Sequence, residues 1–242
     1  MNRGVFYGVG VGPGDPELIT VRAANIISRS KLIFAPKSGA SNESLALRIA
    51  RRYVCEDAEV TLLEFPLESV GHQSPQQRWN KSCLPVVEAL KKGEDCCFVT
   101  LGDPYIYSTY IYLVRAIRNH LPDADIVTVP GVTAFNAAAS LAQLSLAEAN
   151  ESISLFPASA ITDKSDWTDP SPGTYVVMKI GDKLKNLKTY LLRFCERAQT
   201  VFVTRAGLPG QKVLKWPAET PDDLGQANMT VILTRFRVKE SS

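Results

Sequence analysis

The chain has neither a strong net charge nor closely spaced metal ligands, and each absence argues against a class of protein. Its formal net charge is only +2, which argues against a dedicated nucleic-acid binder, because such proteins usually carry a strong basic excess. Its two histidines, His72 and His120, are far apart and have no Cys-x-x-Cys or His-x-x-x-His spacing beside them. Metal sites usually show such spacing. We therefore predict no metal held by the protein and no nucleic-acid partner.

Cysteine usage and the apolar stretches exclude two further classes. The five cysteines form no Cys-x-x-Cys pair and no disulfide framework, which suits a reducing compartment. The N-terminus lacks a basic segment followed by an apolar one, so we expect no signal peptide and a cytoplasmic location. The uncharged stretch 126–147 is long enough to span a membrane. Its Pro, Gly, Asn and Gln residues favour a strand, a turn and a buried helix instead, so we expect no membrane contact.

Apolar runs alternate with helix-like segments along the chain. Hydrophobic residues make up 45% of the sequence, which is enough for a packed core. The alternation predicts an α/β fold with mostly parallel sheets. A seam at 120–124 divides it into two α/β domains, residues 1–120 and 124–242. Strands are predicted near 4–11, 32–35, 58–63, 95–101, 125–129, 151–157, 174–180, 199–204 and 229–237, and helices near 21–30, 43–53, 75–92, 106–119 and 183–195.

Four glycines alternate with other residues from Gly8 to Gly14, at the end of the first predicted strand and directly after it. A dinucleotide-binding G-x-G-x-x-G needs glycine at its sixth position, where the two registers place Pro13 and Asp15. No acid lies between residues 18 and 42 to bond a ribose, and Asp15 would repel a phosphate. We interpret the loop as a place where backbone without Cβ atoms meets a flat or bulky ligand. A tight strand-to-helix turn with no ligand is the alternative.

Three other predicted strands end in loops of similar character. They are Leu101-Gly102-Asp103-Pro104, Pro130-Gly131 before a helix of small residues, and the segment around Met178-Lys179. Ligands of open α/β sheets bind beyond the carboxyl ends of the strands. Each loop alone is a common turn or packing motif, but together they predict one shared crevice.

Three segments together carry a resemblance to a known family: GVGVGPGDPELITVRAA, TLGDPYIYSTYIYL and VPGVTAFNAAASLAQLSL. They resemble the tetrapyrrole methylases, S-adenosylmethionine-dependent enzymes that methylate corrin and sirohaem precursors. The resemblance runs from residue 5 to the final strand, and it implies two α/β domains with an active-site trough between them, and a homodimer. Leu101 stands where sirohaem-type members have glycine. This loop, with the following Tyr-Ser-Thr, is most similar to the enzymes that methylate C20 of precorrin-2 or cobalt-factor II.

The resemblance also implies which residues hold the cofactor. S-adenosyl-L-methionine would bind in a folded conformation and leave as S-adenosyl-L-homocysteine. Ala206 departs from the glycine that relatives often have, and ordinary packing is the alternative for Met178 and Thr230. The matching positions are Pro13, Leu101, Gly102, Asp103, Ile106, Thr133, Ala134, Met178, Ala206 and Thr230.

The chemistry implied is attack by an electron-rich meso carbon on a methyl sulfonium, for which in-line alignment at about 3 Å supplies most of the catalysis. C20 must then lose its proton to a carboxylate or to water. Asp103 is the candidate base, and capping the next helix or orienting the cofactor is its alternative role. The substrate is rich in carboxylates, which basic side chains would pair. Candidates for substrate contact are Arg22, Lys37, Tyr105, Tyr107, Arg115 and Lys179.

Other functions remain open from the sequence. Another position of a corrin precursor could be the acceptor, or ribosomal RNA, which the near-neutral charge disfavours. A protein of a different class, which binds a tetrapyrrole or nucleoside without turnover, would keep the same loops.

Overall fold

The computed structural model describes residues 3–37, 43–65, 74–161, 171–219 and 229–236. The chain forms two compact units, Met1–Thr133 and Ala134–Ser242. The boundary therefore follows Thr133, whereas the sequence placed it at 120–124. The reason is that the strand Asp125–Val129 pairs with the first strand of the chain and completes the sheet of the first unit.

The first unit is built on a five-stranded parallel sheet. The strands stand in the order β3-β2-β4-β1-β5, and every pair within it is parallel. All five carboxyl ends therefore lie at one edge of the sheet. The strands are β1 Val5–Gly10, β2 Leu32–Pro36, β3 Glu59–Leu63, β4 Cys96–Thr100 and β5 Asp125–Val129.

The first three helices of the first unit begin at capping side chains, those of Thr20, Ser44 and Ser74. The Thr20 hydroxyl accepts a hydrogen bond from the backbone N–H of Ala23 and starts the first helix, as predicted. The helix predicted over 75–92 breaks at Cys83, because Pro85 has no N–H to donate to the preceding turn. The helices are α1 Val21–Arg29, α2 Leu45–Ala50, α3 Pro75–Ser82, α4 Leu84–Lys91 and α5 Tyr110–His120.

One hydrophobic cluster of this unit lies between the sheet and the pair α4 and α5. Phe6, Phe98 and Tyr110 are fully buried there, and their rings stack at centroid distances of 6.1 and 6.4 Å. Cys96 and Cys97 are buried within β4, as the apolar run around them predicted.

The second unit holds a mixed five-stranded sheet in the order β6-β7-β10-β8-β9. Only β6 and β7 are parallel neighbours; the other pairs are antiparallel. The sequence missed β9, because exposed Lys212 and Lys215 interrupt its apolar pattern, as is common on edge strands. The elements are α6 Ala134–Ala142, β6 Ser152–Pro157, β7 Gly173–Met178, α7 Leu184–Leu191, β8 Ala198–Thr204, β9 Lys212–Trp216 and β10 Thr230–Phe236.

The uncharged stretch 126–147 is divided between β5, a turn and α6, as predicted. Across the part of the chain that the structure describes, no helix is both long and apolar enough to cross a bilayer.

Candidate functional site

Three of the predicted loops meet at the carboxyl edge of the first sheet, because β4, β1 and β5 are neighbours there. The loops after β1 and β4 are joined by backbone hydrogen bonds. The N–H of Gly102 donates to the carbonyl of Gly12 at 2.7 Å, and the N–H of Val11 donates to the carbonyl of Thr100 at 2.9 Å. These bonds extend the pairing of β1 and β4 into the loops.

Glycine is required where the loop backbones touch. A Cβ atom on Gly131 would lie 2.2 Å from the carbonyl oxygen of Gly102, and one on Gly10 would lie 2.7 Å from the nitrogen of Gly131. Both distances are shorter than any real contact, so two of these glycines serve loop packing as well as any ligand. Gly102 differs, because it has φ +66° and no atom within 4 Å of its added Cβ position. The backbone of Gly102 therefore borders open space.

Asp103 fastens the loop after β4 to the loop after β5. Its Oδ1 accepts a hydrogen bond from the N–H of Tyr105 at 2.8 Å, and its Oδ2 accepts one from the N–H of Gly131 at 3.1 Å. Both carboxylate oxygens are thus engaged with backbone donors. The side chain of Asp103 therefore joins the two loops.

The residues after Asp103 carry two exposed aromatic rings. Tyr105 is 59% exposed and Tyr107 is 37% exposed, whereas Ile106 is half-buried. Tyr107 has φ +50°, a left-handed conformation that is strained in a residue with a Cβ. Desolvation raises the pKa of its phenol above the ordinary value.

The remaining predicted positions of the first unit also lie in or beside these loops. Pro13 is buried directly after Gly12, and Leu101 is half-buried between β4 and Gly102. Thr133 is half-buried two residues beyond Gly131. The structure therefore brings Pro13, Leu101, Gly102, Asp103 and Thr133 to one edge of one sheet.

The predicted basic contacts of the first unit are more scattered. Lys37 directly follows β2, so it lies at the same edge of the sheet, but its ammonium group pairs with Glu64 at 2.9 Å. That ion pair holds the pKa of Glu64 below its ordinary range. Arg22 is exposed in the first turn of α1, and Arg115 is exposed half-way along α5.

In the second unit, three predicted cofactor positions share one apolar cluster. Ala134, Met178 and Ala206 pack with α6 against β7, β8 and β10. Ordinary core packing, the alternative given for Met178, therefore accounts for part of its environment.

Thr230 begins β10 and pairs in register with Thr204, the last residue of β8. It is only 2% exposed, and its hydroxyl has no hydrogen-bond partner among the described residues. A buried hydroxyl without a partner is uncommon and costs free energy, so it calls for an explanation.

Two strand ends of the second unit hold strained residues. Lys179 follows β7 with φ +54°, and Arg205 follows β8 with φ +52°. Desolvation lowers the pKa of the Lys179 ammonium group. The side chain of Arg205 donates to the carbonyl of Pro209 at 2.7 Å. Strained backbone often marks functional loops. The strained conformation of Arg205 was not predicted, because an arginine after an apolar strand gives no sign of backbone strain in the sequence.

Within the described ranges, no three side chains of His, Cys, Asp or Glu are grouped so that they could hold a metal ion. The candidate residues of each unit therefore comprise strand-end loops and charged side chains, with aromatic rings in the first unit and a buried hydroxyl in the second.

Known proteins resemble the chain over nearly its whole length. The profile of the Tetrapyrrole (Corrin/Porphyrin) Methylases matches residues 5–222. The cobalt-precorrin-2 C(20)-methyltransferase of Salmonella typhimurium is 31% identical over 221 residues, which cover 91% of this chain and 92% of the relative. The precorrin-2 C(20)-methyltransferase of Sinorhizobium sp. is 27% identical over 228 residues, with 91% of each protein covered.

Solved structures show the same fold. A cobalt precorrin-4 methyltransferase superposes with a TM-score of 0.68 at 20% identity, covering 96% of this chain and 94% of the other. A uroporphyrin-III C-methyltransferase from Thermus thermophilus, complexed with S-adenosylhomocysteine, gives a TM-score of 0.65 at 18% identity, covering 96% and 97%. With the profile match, these similarities show that the chain belongs to the tetrapyrrole methylase family and is a methyltransferase.

Proposed function

We propose that the protein transfers a methyl group from S-adenosylmethionine to the C20 meso carbon of precorrin-2 or cobalt-factor II in corrin biosynthesis. One observation carries the proposal: relatives that cover at least nine-tenths of the chain are named as C20-methyltransferases. One of these names specifies the cobalt-containing precursor and the other does not, so both substrates stand.

The described residues fit the cofactor on two counts. The loop backbone at Gly102 borders open space, as the approach of a bulky ligand requires. The buried hydroxyl of Thr230 has no partner among the described residues and is available to a nucleoside. When bound, the cofactor supplies an electrophilic methyl group on a sulfonium. We propose that it is held by Pro13, Leu101, Gly102, Asp103, Ile106 and Thr133 of the first unit and by Ala134, Met178, Ala206 and Thr230 of the second.

For Asp103 we propose a positioning role. Its two oxygens hold the backbone N–H groups of Tyr105 and Gly131, so the side chain fixes two loops relative to each other. Water, the other acceptor considered for the C20 proton, then takes that proton. Catalysis in this proposal rests on alignment of the two reactants, which is the largest contribution available to a reaction between an activated methyl group and a carbon nucleophile.

For the carboxylate-rich macrocycle we propose contacts with Arg22, Lys37, Arg115 and Lys179, and with the rings of Tyr105 and Tyr107. Lys37 would have to exchange its partner Glu64 for a substrate carboxylate, which is feasible because Glu64 is exposed. The cytoplasmic location and the homodimer stay predictions.

The test is incubation of the protein with methyl-labelled S-adenosylmethionine and either precorrin-2 or cobalt-factor II, followed by NMR of the product. We expect label on C20 of one or both macrocycles. Label at another carbon would establish the alternative of a different ring position. Binding of S-adenosylhomocysteine and macrocycle without transfer would establish a non-catalytic binder. Label on ribosomal RNA in a parallel reaction would overturn the proposed substrate class.

A further inference from the structure

Tyr105 is exposed, yet it is held at three points. Its backbone N–H donates to Asp103 at 2.8 Å. Its ring packs edge-on against Tyr110, with 5.7 Å between the centroids. Its hydroxyl lies 3.3 Å from the hydroxyl of Thr128 on β5. A side chain that is 59% exposed normally samples several rotamers, whereas these contacts favour a single one.

Thr128 connects Tyr105 to the core. Its hydroxyl is 2.6 Å from the hydroxyl of Tyr110, whose side chain is fully buried. Burial raises the pKa of Tyr110 to about 12, so this phenol keeps its proton at neutral pH. A threonine hydroxyl has one proton and two acceptor positions, so it can bond both tyrosines at once.

Gly8 makes this connection possible. It lies in β1 directly beside Thr128 of β5 in the register of the sheet. A Cβ atom on Gly8 would lie 2.0 Å from Cε2 of Tyr110. Only glycine at this position lets the ring of Tyr110 cross β1 and reach the neighbouring strand. The support of Tyr105 is therefore built into the sheet itself.

We propose that Tyr105 is a pre-oriented aromatic contact for the face of the macrocycle, and that Thr128 is the positioning residue that holds it. This inference rests on the proposed function. Tyr105 follows Gly102, whose backbone borders open space, so its ring lies on the loop assigned to the cofactor. Aromatic rings stack well on large flat π systems, and a side chain that is already fixed loses little conformational entropy on binding.

The test is Thr128→Val, which removes the hydroxyl and keeps the shape. We expect the KM for precorrin-2 to rise about 3- to 10-fold, with kcat and the Kd of S-adenosylhomocysteine unchanged, because freeing Tyr105 weakens only macrocycle binding. The Kd of uroporphyrin III, a stable carboxylate-bearing porphyrin measured by its fluorescence, should rise by the same factor. Thr128→Ser keeps the hydroxyl and should retain the wild-type values.

The double variant Thr128→Val/Tyr105→Phe tests whether the weaker macrocycle binding of Thr128→Val arises through the hydroxyl of Tyr105. If Thr128 acts through the Tyr105 hydroxyl, the double variant is no worse than either single variant. Val87→Ala, a buried change on α4 of the same unit, controls for lost stability. An equal rise in KM for Val87→Ala, or wild-type values for Thr128→Val, would overturn the inference while leaving the proposed function intact. A wild-type protein that does not bind uroporphyrin III and methylates neither precorrin-2 nor cobalt-factor II would overturn both.

Discussion

The carboxylate of Asp103 and the backbone N–H of Gly131 lie 3.1 Å apart, so a side chain from the loop after β4 holds the loop after β5. The same carboxylate holds the N–H of Tyr105. In the methyltransferase that we propose, the loops must keep their positions through binding and release, and this side chain is the link between two of them.

The first prediction separates this positioning role from general-base catalysis. Asp103→Ala leaves two backbone donors without their acceptor, and we expect it to lower the free energy of unfolding by about 1–3 kcal/mol and to weaken S-adenosylhomocysteine binding. Asp103→Asn keeps one acceptor oxygen and should show about half of each effect. Urea unfolding and calorimetric titration measure the two quantities.

A base role would give a different pattern for the same variants. Asp103→Asn would then abolish turnover while leaving the affinity for S-adenosylhomocysteine and the stability close to those of the wild type. Residual turnover in Asp103→Asn that falls only in proportion to cofactor affinity supports positioning.

The sequence was sufficient to predict most of the helices and strands, because caps and apolar runs are local features. The helix α1 begins where predicted, capped by Thr20, and the buried β4 coincides with its apolar run. The domain boundary was misplaced because β5 joins the first sheet through pairing with β1, a tertiary choice that no local pattern encodes. The edge strand β9 was missed for a local reason, because Lys212 and Lys215 interrupt its apolar pattern.

The candidate site was predictable only in part, again for a physical reason. Glycines and Asp103 after strands form a visible pattern, because parallel strands bring their carboxyl ends together. Thr128 carries no such signal: a threonine in a strand is ordinary, and its importance follows from two tyrosine hydroxyls that only the folded chain brings to it. The strain at Arg205 could not be predicted either, because it is a property of the backbone conformation and not of the residue type.

The second prediction concerns the contact between Gly8 and Tyr110. Gly8→Ala places a methyl group 2.0 Å from Cε2 of the buried Tyr110 ring, and we expect a loss of stability of about 1–3 kcal/mol. The cost should shrink in the background Tyr110→Leu, because the shorter side chain no longer crosses β1. Urea unfolding of the two single variants and the double variant gives the coupling energy. Additive losses would mean that the two residues do not collide.

The third prediction concerns the buried guanidinium of Arg235 in the second unit. It donates to Glu151 at 2.7 Å, to Glu148 at 3.0 Å and to the carbonyl of Ser145. Side-chain exposure is 13% for Glu151 and 69% for Glu148. Because solvent screens exposed pairs, Glu148→Gln should change stability by less than about 1 kcal/mol.

Arg235→Met, in contrast, leaves Glu151 largely buried without its cation and should cost about 3–5 kcal/mol. Glu151→Gln should fall between these two variants. Equal losses for Glu148→Gln and Glu151→Gln in urea unfolding would show that burial does not control the strength of the cluster.

The fourth prediction is a loss of stability in alkali. Burial raises the pKa of Cys96 and of Cys97 from 9.0 to about 12. Between those values the unfolded chain releases thiol protons that the folded chain keeps, so the unfolded state binds fewer protons and stability falls as pH rises. Each thiol contributes up to roughly 1.4 kcal/mol per pH unit. Thermal unfolding from pH 8 to pH 11 measures the slope, which should be shallower for Cys97→Ala; an unchanged slope would contradict the assignment.

The fifth prediction uses two threonines whose buried hydroxyls lack partners among the described residues, Thr230 and Thr174. Replacing either with valine removes an unsatisfied hydroxyl, so both Thr230→Val and Thr174→Val should leave the unliganded protein as stable as the wild type or more stable. Only Thr230 begins β10 beside the end of β8, whereas Thr174 lies on β7, opposite Arg235 near the other end of β10. We therefore expect Thr230→Val alone to weaken S-adenosylhomocysteine binding, by about 2- to 10-fold for one hydrogen bond.

For Thr230→Val we expect a lower affinity for S-adenosylhomocysteine without a lower stability, and misfolding would not produce that combination. A destabilised protein would lose both unfolding free energy and affinity, whereas a missing ligand contact lowers affinity alone. Calorimetric titration of the two valine variants gives the affinities, and urea unfolding without ligand gives the stabilities. If Thr174→Val weakened binding as much as Thr230→Val, the hydroxyl of Thr230 would have no particular part in holding the cofactor, and its burial without a partner would need another cause.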